Sequence, residues 1–125
     1  IPPTQIWPSI QQIREKYDAA YYRWQPHLNV LYPFVGEQFY PSQVAHIEKA
    51  LSEIAPFEIE FNRFNFFDKG TSAKDPDPSC YVFLQPSPLQ AMGELQKIYN
   101  ALTGLYPFCK SKKHNKGFTG HLTVG

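Results

Sequence analysis

Residues 27–30 read His-Leu-Asn-Val and residues 121–124 read His-Leu-Thr-Val. Both stretches have the same frame: an imidazole, an apolar residue, a hydrogen-bonding side chain and a second apolar residue. Alternation with a period of two marks an extended strand with one covered and one open face. Residues two apart on a strand emerge on the same face about 6.6–6.8 Å from each other, so each copy sets an imidazole beside an amide or a hydroxyl. Two such strands set together would form a four-point cradle of His27, Asn29, His121 and Thr123. The recurrence of the frame early and late also implies that the two halves of the chain resemble each other.

Around these frames the apolar spacing alternates between helix and strand. Pro8 suits the first turn of a helix whose stripe runs through Ile10, Ile13, Tyr17, Ala20 or Tyr21, and Trp24, with Gln11, Arg14, Glu15 and Asp18 on the solvated surface. Residues 27–34 then predict a strand with Leu28, Val30, Tyr32 and Phe34 on the core face. A second helix is expected from Pro41 to Ile54, with Val44, Ile47, Leu51 and Ile54 inward and His46 outward. Phe57, Ile59 and Phe61 alternate with polar residues, which predicts a half-buried strand continuing to Phe64. The stretch 68–79 reads as an exposed loop, and Cys80 to Leu84 as a short strand. Leu89, Met92, Leu95, Tyr99 and Leu102 mark a third helix closed by Gly104. A lysine-rich loop follows from Lys110 to Lys116. Three helices interleaved with short strands indicate an α+β domain with a largely antiparallel sheet.

Composition narrows the class. The chain has 125 residues, 42% hydrophobic and 16% aromatic, enough for one core and too short for two comfortable ones. Its 12 Pro and 7 Gly fall below the roughly 25–30% share that marks low-complexity chains. A formal charge of +1 gives no global field toward long nucleic acid or an anionic membrane, so an anionic ligand has to be recognised locally. Cys80 and Cys109 make no disulfide framework and no Cys-x-x-Cys pair, and read as ordinary thiols. No apolar run approaches the roughly 18 residues of a membrane span, and no leader pattern stands at the start. The expectation is a soluble, cytoplasmic protein with no membrane partner, the nucleus remaining open.

Imidazole is the side chain that ordinarily changes charge near neutral pH, so a pair can serve as general base and general acid while a hydroxyl or amide holds an oxyanion between them. Phosphoryl transfer suits that equipment. Zinc asks for about three or four His, Cys, Asp or Glu ligands, and neither frame carries another ligand type, so no metal or other cofactor is implied. Lys110, Lys112, Lys113 and Lys116 stand just before His121, where they either gather a phosphate or form a solvated loop. Phe118 is a candidate to stack on a base, and Arg23 and Trp24 are candidates for the rim of a groove.

The runs Trp24-Gln-Pro-His27-Leu-Asn-Val-Leu-Tyr-Pro-Phe34 and Gly117-Phe-Thr-Gly-His121-Leu-Thr-Val-Gly125 resemble the two-histidine (2H) phosphoesterases, or 2′-5′ RNA ligase-like family. The resemblance spans essentially the whole chain. It implies a single domain over residues 1–125, built of two similar α+β lobes with largely antiparallel sheets facing a central groove, one motif from each. The implied chemistry is metal-independent cleavage of 2′,3′-cyclic phosphates, or related 2′ linkages, of nucleotides or short RNA ends. His27 and His121 would exchange the protons while Thr123 and Asn29 hold the phosphate. Asn29 departs from the Thr or Ser of the family pattern; an amide can still donate to a phosphate oxygen. Further strands are expected before Ile1 and after Gly125, so the lobes look cut short at both ends. A module that binds RNA or a nucleotide without turnover is the alternative reading, and a purely structural domain a third.

Overall fold

The computed structural model describes residues 1–72, 75–87, 89–109 and 118–125. The chain divides into two compact units: residues 1–28, 61–86 and 121–125 form the first, residues 29–60 and 87–120 the second.

In the first unit a 3-10 turn at Thr4–Ile6 leads into helix α1, Trp7–Tyr17. Pro8 lies in its opening turn, where a missing N–H costs nothing because that donor has no helical partner anyway. The helix does not continue to Trp24 as its stripe predicts. Asp18 leaves the helical region at φ −99°, ψ 106°, and its carboxylate Oδ1 accepts the Ala20 N–H at 2.8 Å. That local turn competes with the next helical bond and wins. Ile10 and Ile13 face the core as expected, whereas Tyr17 is exposed.

Strands β1 (Glu60–Ser72), β2 (Asp75–Ser87) and β3 (Leu122–Thr123) form one sheet in the order β1-β2-β3. Phe83 pairs with Thr123 and Leu84 with Leu122, antiparallel. The side-chain contacts Asn65–Gln85, Phe67–Phe83 and Lys69–Tyr81 step up β1 as they step down β2, the signature of antiparallel pairing. Most of the expected loop at 68–79 is therefore strand. Its residues 68–71 are exposed, and an exposed polar strand looks like a loop in composition. The strand predicted from Phe57 begins only at Glu60. Leu122 and Val124 are fully buried against Ile10 and Leu84, with Ile13, Phe61 and Val82 packed alongside. Val124 and Gly125 both donate to the Val82 carbonyl, at 2.9 and 3.1 Å, while Val82 N–H donates to Gly125 O at 2.8 Å. Two residues thus oppose one, a β-bulge that bends and twists the end of β3.

On the other side of β3, Leu28 makes an isolated antiparallel bridge to Leu122. The strand expected over residues 27–34 contracts to that bridge. Pro26 and Pro33 bracket the segment and remove ladder donors, and Tyr32 is exposed rather than in the core.

In the second unit, α2 (Tyr40–Leu51) packs on α3 (Leu89–Leu105). Helix α2 stops at Leu51, short of the predicted Ile54, and His46 is exposed as expected. Helix α3 buries Ala91, Leu95, Tyr99 and Leu102 along one stripe and runs past Gly104. Tyr106 is buried beyond its end, donating its hydroxyl to Gln43 Oε1 at 3.0 Å and meeting the Phe34 ring at 5.0 Å. The described residues hold a single three-stranded sheet, and it lies with the first unit; two similar lobes with a sheet each are not found there. No helix among them is long and apolar enough to cross a membrane.

Candidate active site

The Leu28–Leu122 register sets His27 opposite Thr123, with His121 one diagonal step away. Directly opposed residues in an antiparallel pair have Cβ atoms about 4.5–5.5 Å apart, and diagonal ones about 7–8 Å. Two imidazoles and a hydroxyl therefore share the face opposite Leu122 and Val124. Burial of those two residues decides which way the face points, because slipping the register by one would turn every side chain over.

His27 is half-buried, with Nδ1 2.7 Å from the Gln25 carbonyl oxygen. A carbonyl only accepts, so Nδ1 donates and Nε2 is left to exchange a proton. The Trp24 ring stands edge-on at 6.1 Å between centroids. His121 is half-buried against the rings of Phe67 at 5.0 Å and Phe83 at 5.1 Å.

The chain that delivers His27 is held from below by Arg14, 2% exposed. Its Nε donates to Asp18 Oδ2 at 2.7 Å, Nη1 to Gln11 Oε1 at 2.8 Å and Nη2 to the Trp24 carbonyl at 2.8 Å. The sequence reading put Arg14 on the solvated surface. The spacing of Arg14 and Asp18, four apart at the end of a helix, was the available signal; the third partner is a backbone carbonyl, which composition does not reveal.

A cavity of about 660 Å³ opens beside this face, lined by Arg23, Trp24, His27, Lys69, Tyr81 and Thr123 among others. Four of these six were singled out from sequence. Lys69 and Tyr81 were not, since they lay in the supposed loop and in a strand read only for its apolar residues. Lys69 Nζ sits 4.0 Å over the Tyr81 ring and Arg23 Cζ 5.8 Å over the Trp24 ring. The charges of Arg14 and Asp18 cancel, while neither Arg23 nor Lys69 has a carboxylate partner among the described residues. A neutral chain thus carries a locally cationic pocket.

Asn29 is exposed and falls in the second unit. Phe118 does not offer a free ring to a base: it is buried in the second unit and stacked on Tyr99 at 4.6 Å and 11°. Lys113, with Lys110, Lys112 and Lys116, lies outside the described residues. Cys80 is an exposed thiol lining the cavity, whereas Cys109 is buried and burial pushes its thiol pKa up. Among the described residues no three His, Cys, Asp or Glu side chains gather into a metal-sized group.

No curated protein sequence matches the chain. The family model of the 2′-5′ RNA ligase superfamily matches residues 2–125, a span that takes in both histidine frames and all that lies between them. The chain belongs to the 2′-5′ RNA ligase superfamily.

Proposed function

We propose that this protein is a metal-independent phosphodiesterase that opens the 2′,3′-cyclic phosphate, or a related 2′ linkage, of a nucleotide or RNA end. The observation that carries the reading is the placement of His27 opposite Thr123, with His121 diagonal to His27 and two residues before Thr123 on the same strand face. Membership of a superfamily of phosphoesterases and ligases supports it. A water oxygen bonds to phosphorus as one imidazole takes its proton. The bond from phosphorus to one ribose oxygen breaks as the other imidazole, protonated beforehand, gives that oxygen a proton. Thr123 donates its hydroxyl hydrogen to a non-bridging oxygen. The contact from Nδ1 to the Gln25 carbonyl makes Nε2 the working nitrogen of His27 in either role.

The test is turnover of a 2′,3′-cyclic nucleotide with a chelator present. His27→Ala and His121→Ala are each expected to lower kcat by about 10²–10⁴, the usual contribution of a positioned acid or base. A bell-shaped pH profile should accompany the wild-type rate, because one imidazole has to be neutral and the other charged. Full activity in both variants would overturn the mechanism, and activity abolished by the chelator would replace it with a metal-assisted one. The amide at Asn29 favours a second reading, a nucleotide-binding module without turnover. Binding of the cyclic nucleotide with no product would select it.

A further inference from the structure

The cavity that takes in His27 and Thr123 extends beyond them to Lys69, Cys80 and Tyr81. Tyr81 and Trp24 are 50% and 55% exposed, large aromatic surfaces that the protein leaves half uncovered. Beside them stand Lys69 and Arg23, neither with a carboxylate partner among the described residues. At about 660 Å³ the cavity is within the range of roughly 300–1,000 Å³ of sites that enclose a whole small ligand, well beyond a phosphate slot. Aromatic faces interleaved with cations are the equipment for single-stranded nucleic acid: bases stack on the rings and the backbone runs along the charges.

We infer that this cavity holds the nucleotide adjoining the reacting one, with Lys69 and Arg23 on the internucleotide phosphodiester and Tyr81 and Trp24 stacking bases. The substrate is then an RNA 3′ end with at least one intact linkage, in preference to a free cyclic mononucleotide. The inference rests on the proposed role of His27 and His121, and it adds a second phosphate and a neighbouring base to that reading. The cations act locally, so it is compatible with the overall charge of +1.

The experiment compares a 2′,3′-cyclic mononucleotide with a trinucleotide ending in the same cyclic phosphate. The trinucleotide is expected to have the higher kcat/KM by about fivefold or more, the lower end of what one stacked base contributes. Lys69→Gln and Tyr81→Ala should each remove most of that advantage while leaving the mononucleotide rate within about twofold. For Lys69→Gln, the slope of log affinity against log salt for the trinucleotide should become shallower by about 0.7, one phosphate contact on a single strand. Equal kcat/KM for the two substrates, or equal losses on both in the variants, overturns the inference while leaving the proposed chemistry intact. If neither substrate is turned over, the proposed chemistry fails, and the cavity is tested separately with a trinucleotide bearing a 3′-phosphate. Its binding should slow alkylation of Cys80, which lines the cavity. Cys80 reacting at an unchanged rate in the saturated complex overturns the inference on its own.

Discussion

At Arg14 a guanidinium gives all three of its nitrogens to partners within the first unit: a carboxylate, an amide oxygen and a backbone carbonyl. With side-chain exposures of 2% and 8%, the pair with Asp18 is out of water, and removing one member leaves a buried charge without its counterpart. Arg14→Met is expected to cost about 3–5 kcal/mol, the usual range for breaking a buried pair, measured by urea denaturation. Arg14→Lys keeps the charge but cannot present the planar fork, and should fall between the two. Because the third bond ends on the Trp24 carbonyl, three residues before His27, both changes should also alter the His27 imidazole signal in NMR spectra. The candidate site was legible because a strand's period puts His27, His121 and Thr123 in matching frames. Arg14 was not legible, because a charged residue on a helix is solvated by default and its carbonyl partner has no sequence signature.

Secondary structure was legible in kind and less so in extent. All three helices announce themselves by their stripes, but Asp18 ends α1 through a side chain that caps its own turn, a choice made by geometry rather than by the apolar count. The pairing of β1 with β2 was half hidden because its exposed residues 68–71 are as polar as a loop. Equal places in a pattern also carry unequal weight. Leu122 in β3 and Val44 in α2 both occupy apolar positions of their repeats, yet Leu122 is 1% exposed and Val44 is 52% exposed. Leu122→Ala should destabilise the protein by about 2–5 kcal/mol through lost burial and the cavity left behind. Val44→Ala should stay within about 0.5 kcal/mol, as surface changes do. Parallel urea titrations of the two variants check the contrast, and a similar loss in both would show that α2 hides Val44.

The two thiols report on the whole molecule. Cys80 is exposed and Cys109 is buried with a raised thiol pKa, so the thiolate that reacts is scarce at Cys109 and shielded as well. Alkylation of the folded protein should modify Cys80 first, with Cys109 reacting only as the chain unfolds; mass spectrometry after a timed iodoacetamide pulse reads the order. The charge of the whole also proved a poor guide to the charge of its parts, since a near-neutral total conceals Arg23 and Lys69 at one cavity, neither with a carboxylate partner among the described residues. The first unit is drawn from three separate stretches of chain, and its last five residues supply the strand against which Leu28 pairs. In kinetic terms this is contact between distant positions, whose loop-closure entropy has to be met before any local reward arrives. The helices can form from neighbours alone, whereas the face carrying both imidazoles assembles only once residues 28 and 122 have been brought together, so its formation is a late event in folding.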